Sequence, residues 1–341
     1  CRHEMVWRFF AEAPPAAEEP YIFPPIGGAD ATLALDTLVF TMCALTLLHG
    51  WRTRNLSLAV AGLGLGLAIE QPSLRLGGTH CHASGMLDIS ECSSANSVFY
   101  YMPWVYAGVS CARRLVDERS WSFPLLCGLL FFGLCGVYES QGPLMGWWLW
   151  PRADGVVKSG CTIWQAWELG EDARGLVVSP HAAEALAERV HGVPVMAPFF
   201  HFAFGWGTAI VYQATAFRMH ALPVLVGPAV SLVWDPAMRL VCMAFGASKL
   251  AAVTALMLGG PFLALVLGPP LHAAPPRDAL LFCIPLLNGA FFAHHALVGR
   301  GAAQLPPDLK CFVATLALCA TLVYARSCGM LTGAAPKRAV D

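Results

Sequence analysis

Long apolar runs separated by short polar connections divide this chain. Runs at about 31–50, 56–73, 95–112, 121–139, 194–216, 250–269, 279–298 and 309–326 each approach the roughly 20 residues a helix needs to cross a bilayer. A further run within 220–245 is interrupted by Pro223, Pro228, Asp235, Pro236 and Arg239. It reads either as one broken span or as a span plus an interfacial helix. Period-two alternation is absent, while Leu, Ala, Gly and Phe run continuously. That pattern favours helices, which satisfy their own backbone groups within lipid. The predicted fold is therefore all-α, a polytopic transmembrane helical bundle of eight or nine spans.

The polar segments set the organisation around these spans. Residues 1–30 carry Glu4, Arg8, Glu12, Glu18 and Glu19 among Pro14, Pro15, Pro20, Pro24 and Pro25, which predicts an irregular extramembrane tail rather than a signal peptide. The chain opens on Cys1, not Met, which fits a processed start or a fragment. Residues 31–139 form a four-helix transmembrane half. Residues 140–193 form an extramembrane segment too long for a plain connection. Within it, Ser179-Pro180 is a good helix start, and Ala183, Leu186, Ala187 and Val190 follow at helical spacing, predicting a short amphipathic helix. Residues 194–326 hold four or five further spans, and 327–341 form a polar tail.

Composition narrows the function classes. The chain is 57% apolar and 13% charged, with a net charge of −1 and a mean hydropathy of +0.57. A soluble domain carries about 25% charged residues, so a water-soluble enzyme is excluded. No basic field exists to hold a nucleic acid. The expected partners are the lipid bilayer and a lipophilic small molecule. Trp51, Trp121, Trp147, Trp148 and Trp150 stand beside span ends, where amphipathic rings anchor helices. Arg52 and Arg54, then Arg113, Arg114 and Arg119, mark two connections as cytoplasmic by the positive-inside rule. The N-terminus and the 140–193 segment are then non-cytoplasmic. Gly62, Gly64 and Gly66 offer a small-residue stripe for close helix contact.

Ionisable groups within spans are costly and mark functional candidates. They are Asp36, Glu70, Glu139, His201, Asp235, Lys249, His294 and His295. An intramembrane Asp such as Asp36 also serves to bond Ser, Thr or backbone groups inside the bundle. Glu70 and Glu139 each follow a Gly-rich apolar run and precede a Gln and then a Pro. This suggests a degenerate two-helix repeat that brings both carboxyls to one membrane side. At a helix C-terminus the macrodipole and burial both disfavour ionisation, so either carboxyl suits a general acid. The same residues also serve as caps or cross-links between helices. His201 enters its span from the same side. His294 and His295 join that polar layer if 217–245 crosses once.

Other chemistry has less support. His80, Cys81, His82, Cys92 and His191 offer imidazole and thiolate outside the bilayer, the ligand types zinc takes. Their spacing matches no recognised signature, however, so no metal and no cofactor are predicted. Cys81 and Cys92 suit a disulfide in an oxidising lumen. Cys43, Cys111, Cys127, Cys135, Cys242, Cys283 and Cys319 read as small packing residues within spans. There is no G-x-S-x-G and no phosphate-binding glycine loop.

The stretch ESQGPLMGWWLW at 139–150, followed by HGVPVMAP at 191–198 and by Gly205-Trp206, resembles the polytopic carotenoid-biosynthesis membrane family that includes carotenoid hydratases. Glu70 with Gly77-Gly78 echoes the earlier Glu…Gly motif of that family. The resemblance covers roughly a third of the chain. The 140–193 segment is longer than the family's, and the spans beyond 216 have no counterpart. The resemblance implies acid-catalysed addition to an isoprenoid double bond. Glu139 or Glu70 would protonate the alkene, and a histidine or the second carboxylate would position water. Trp148 or Trp206 would stabilise the cation. The competing expectation is a non-enzymatic polytopic protein: a transporter, channel or scaffold subunit. A transporter would place its site at the broken 220–245 region with Asp235.

Overall fold

The computed structural model describes residues 28–72, 80–83, 85–90, 93–145, 147–149, 189–190, 193–194, 196–215, 249–259, 275–299 and 305–331, with a few positions between 262 and 272. The described chain is mostly helical. In order come α1 (Gly28–Arg52), α2 (Leu56–Pro72), β1 (Cys81–His82), β2 (Asp88–Ser90), β3 (Ser93–Ser94), α3 (Ala95–Phe99), α4 (Tyr101–Leu115), α5 (Ser122–Met145) and β4 (Trp148–Leu149). Then follow β5 (Arg189–Val190), β6 (Val193–Pro194), α6 (Met196–Ala214), α7 (Lys249–Thr254) continued by a π turn (Ala255–Gly259), α8 (Ala279–Leu297) and α9 (Pro307–Ser327).

Among the described residues, four helices are long and apolar enough to cross a membrane, at Thr32–Arg52, Ser122–Gly142, Ala279–Leu297 and Pro307–Ser327. Helix α2 is apolar but shorter, at 17 residues. Helix α5 is the axis of the bundle, with 78% of its apolar window buried; α9 lies at the periphery with 28%. Phe312, Leu318 and Leu322 of α9 are exposed, as suits a helix whose outer face meets lipid rather than water. One contiguous apolar core joins α1, α2, α4, α5, α6, α8 and α9.

Several boundaries differ from the predicted ones. Helix α1 begins at Gly28, inside the predicted tail. The span expected over 95–112 is two helices, α3 and α4, meeting at Tyr100. Helix α5 continues to Met145. Glu139 is therefore more than a turn from its C-terminus, and the dipole effect, confined to the last turn, bears on Glu70 and not on Glu139. Val190, expected on an amphipathic helix, lies in β5 and pairs with Val193, while Arg189 pairs with Pro194. The β-branched pair favours the extended form there. The rest of that expected helix, the 220–245 region with Asp235, and Cys92, Cys242 and His191 lie outside the described residues.

Small residues allow the helices that carry the polar groups to approach closely. A Cβ at Gly66 would collide with the Val98 carbonyl oxygen, and one at Gly62 would meet Met102 Cα at 2.8 Å. These two positions, four apart on α2, are the close-contact face against α3 and α4. At Gly205 a Cβ would come within 2.6 Å of Phe131 Cβ, which sets the crossing of α6 over α5.

One end of the bundle is tied by a polar network. His49 on α1 bonds Tyr106 Oη through Nδ1 at 2.6 Å and Asp278 Oδ2 through Nε2 at 3.0 Å. Asp278 caps α8 by accepting from the Leu281 amide at 3.1 Å. Arg114 reaches the same carboxylate at 3.5 Å and donates to the Ser327 carbonyl at 2.8 Å. Gln213, at the end of α6, donates to the carbonyls of Glu118 and Ser120. His49 is buried and was not among the intramembrane groups singled out by sequence.

Two outcomes test this packing. Gly66→Ala lowers the thermal stability of the detergent-solubilised protein by about 1–3 kcal/mol, the usual cost of overpacking. Gly259→Ala, with nothing within 4 Å of its Cβ, leaves it unchanged. The second concerns pH. The His49 hydrogen bond holds the Asp278 carboxyl below its ordinary range, against the opposing effect of burial. A depressed carboxylate pKa contributes stability above the unfolded value, and that contribution is lost as pH falls through the folded one. Asp278→Asn therefore melts below wild type at neutral pH. The gap closes as pH drops below about 4, the ordinary Asp value. Melting curves recorded across that range read both.

Candidate functional site

The opposite end of the bundle gathers the buried carboxylates. Glu70 sits in the last turn of α2, and Glu139 lies on α5; both are buried. His80 and His82 belong to the segment that returns along the end of the bundle. There β1 pairs antiparallel with β4, in register Cys81 with Leu149 and His82 with Trp148. The Ala83 amide donates to the Trp147 carbonyl at 2.8 Å, and the Trp147 amide donates to the Gly142 carbonyl at 3.0 Å. A Cβ at Gly142 would run into the Trp148 indole nitrogen. Glycine at 142 therefore lets the tryptophan segment fold back against the end of α5. On an extended strand, residues two apart face the same side, so the His-x-His spacing aims both imidazoles at α2.

Glu70 is held on both oxygens. Oε2 meets His80 Nε2 at 2.9 Å and His82 Nε2 at 3.2 Å, while Oε1 accepts from Tyr101 Oη at 3.0 Å. The other ring nitrogen of His82 faces Tyr138 Oη at 3.4 Å. Burial pushes the His82 imidazole below its usual range, and the contact with Glu70 opposes this.

Glu139 is held differently. Its Oε1 lies 3.3 Å from His201 Nε2. His201 Nδ1 faces the Ala197 carbonyl at 2.9 Å. A carbonyl only accepts, so Nδ1 carries a proton. The Nε2–Oε1 contact is attractive when one further proton sits on either atom. Glu139 Oε2 is buried without a hydrogen-bond partner among the described residues. The two carboxylate centres meet at Tyr101, whose ring stacks on His201 with centroids 6.2 Å apart. Trp104, Phe131 and Phe204 also pack around His201, at 5.7, 6.2 and 5.9 Å.

The residues singled out by sequence separate into three groups. Glu70, Glu139 and His201 converge. Trp148 joins them through its ring contacts with His82 and Tyr138, at 6.4 and 6.0 Å. His295 lies at the same end, one aromatic layer away, with its ring 5.7 Å from that of Trp147; its neighbour His294 is exposed. Trp206 packs instead against the cluster of Phe199, Phe202, Ala252, Val253 and Met257. Asp36 is structural: its carboxylate accepts from the Met86 amide and from Asn96 Nδ2, each at 2.5 Å, which pins the β2–β3 hairpin to α1. Sequence reasoning missed Tyr101 and Tyr138. A buried tyrosine one residue from a break between helices carries no periodic signal that separates it from core aromatics.

No protein-family model, curated protein or solved structure matches this chain. The chemistry of the site therefore rests on its own geometry.

Tyr101→Phe removes a hydrogen bond to a buried carboxylate, worth about 1.5–3 kcal/mol. It lowers the unfolding midpoint clearly more than Tyr138→Phe, whose contact is longer. Parallel thermal melts of the two variants check the order.

Proposed function

We propose that this chain is a multi-pass integral membrane protein of eight or nine spans that carries out acid–base chemistry on a lipophilic, isoprenoid-type substrate. The arginine-bearing end would face the cytoplasm, with the N-terminus and the 140–193 segment on the other side. The observation that carries the reading is the convergence of Glu139, His201, Tyr101 and Glu70 within an aromatic shell. A polar cluster at one end of a bundle favours an enzyme over a transporter, whose site belongs on a water path through the midplane.

In this reading Glu139 is the general acid. Its Oε2, without a hydrogen-bond partner among the described residues, is the oxygen that delivers a proton to an alkene carbon. That proton is the one the Glu139–His201 pair holds, and its delivery leaves a carboxylate beside a neutral imidazole. The cation formed is stabilised by the faces of Tyr101, Trp104 and Trp148 and by the negative charge left on the carboxylates. Water adds to the cation, and the proton it loses returns to Glu139 or His201, which balances the hydration. Glu70, tied by three donors, positions Tyr101 and takes no proton. Support for the substrate class comes from the apolar, aromatic surroundings and from the resemblance of the 139–150 and 191–206 segments to the hydratase family.

The test is addition of ¹⁸O-labelled water. Membranes containing the chain, supplied with an isoprenoid lipid extract, yield a product heavier than its precursor by one labelled water. Glu139→Gln slows its formation by on the order of 10²–10⁴, the usual worth of a general acid. Mass spectrometry of the extract reads both. The reading fails if a folded Glu139→Gln chain is as fast as wild type, or if no lipid in the extract gains water.

A further inference from the structure

The Glu70 side of the cluster has more structure than a proton-transfer role for Glu139 requires. Two imidazole Nε2 atoms, from His80 and His82, address one carboxylate oxygen, and all three atoms lie within 4.8 Å of one another. The rings stand edge to face with centroids 4.9 Å apart, so neither blocks the other's approach. Zinc bonds of about 2.0–2.2 Å in a tetrahedron place neighbouring ligand atoms about 3.3–3.5 Å apart. The separations of 2.9 and 3.2 Å from Glu70 Oε2 fall just under that edge, so a small outward shift admits an ion between the three atoms.

We propose that Glu70, His80 and His82 form a three-ligand site for a divalent transition-metal ion of the zinc class. Two nitrogen donors and one carboxylate oxygen suit zinc and its neighbours. Calcium and magnesium prefer an all-oxygen shell. Three protein ligands leave one tetrahedral position for water or substrate, the arrangement of catalytic rather than structural zinc. The surrounding contacts have the form of an outer shell. Tyr101 binds the carboxylate oxygen that the imidazoles leave free, and Tyr138 faces Nδ1 of His82. Such partners orient ligands and fix their reactive atoms. The backbone is also preset, since the β1–β4 ladder holds the His-x-His strand across the end of α5. The expectation of no metal followed from the absence of a recognised spacing in sequence; the third ligand arrives from α2, ten residues before His80. The proposal rests on reading this cluster as the functional site, and it assigns Glu70 to the ion while Glu139 keeps the proton chemistry.

The test uses the full chain in detergent, stripped with a chelator and then titrated with Zn²⁺, or with Co²⁺ followed by visible absorption. Wild type takes up one ion per chain and shows the intense cobalt bands of a four-coordinate site. His80→Asn and His82→Asn each weaken binding by on the order of 100-fold or more, and Tyr101→Phe by about 10–100-fold, as loss of an outer-shell partner does. Zn²⁺ raises the melting temperature of wild type by mass action. It does not raise that of His82→Asn, whose metal-free melting point shows whether the variant is folded. Glu139→Gln still binds one ion, so loss of water addition in that variant with metal uptake retained separates the two proposals. A folded wild-type chain that takes up no stoichiometric Zn²⁺ overturns the site, as does a His82→Asn chain that binds as tightly as wild type.

Discussion

A carboxylate buried in an apolar bundle must find donors, and Glu70 finds three, two on the segment that returns after α2 and one at the start of α4. The cost of leaving such a group unmet is several kcal/mol, and this requirement arranges the whole end of the molecule. The return strand must reach α2 to bring its imidazoles. That strand needs a pairing partner, which the tryptophan segment after α5 supplies. The tryptophan segment in turn can lie back on the bundle only because Gly142 has no side chain. Tyr101 must begin a helix that passes α2 at backbone contact distance, which Gly62 and Gly66 permit. Each of these local features is unremarkable alone, and each is required by the same buried charge.

The two ends of the bundle solve the polar problem in opposite ways. At the arginine-bearing end, Asp278 is shared among His49, Arg114 and a helix N-terminus, so charge is met by opposite charge near the surface. At the other end no arginine or lysine among the described residues pairs with the carboxylates. The carboxylates are met by imidazole and phenol, groups that donate or accept according to where a proton sits. The first arrangement holds the helices together; the second is what the proposed proton chemistry would use.

Much of the fold was legible in the apolar runs, because a bilayer-length stretch of Leu, Ala and Phe has few structural alternatives. The placement of Glu70 and Glu139 at one end followed from counting crossings. The break at Tyr100 and the extension of α5 past Glu139 were not legible, since neither Gly nor Pro punctuates 99–101 and Pro143 stands where a helix end is expected. The strand carrying His82, with His80 just before it, was the least visible element. Its two ladder residues, Cys81 and His82, pair with Leu149 and Trp148 far along the chain, and no local pattern reports a tertiary pairing of that kind. Asp36 shows the converse. Its intramembrane position marked it for chemistry, yet both oxygens are spent on Met86 and Asn96, which flank the β2–β3 hairpin.

In the proposed hydration Glu139 and His201 hold a single proton between them, which bears on how such a site tolerates its apolar setting. With Nδ1 of His201 committed to a carbonyl, the pair is neutral overall whether the proton rests on oxygen or on nitrogen. Shuttling it back and forth reorients a dipole without creating net charge, so the large solvation penalty that lipid imposes on an isolated ion never enters that step. Net charge arises only when the proton leaves for another molecule, and in the proposed hydration it then arises beside the cation formed.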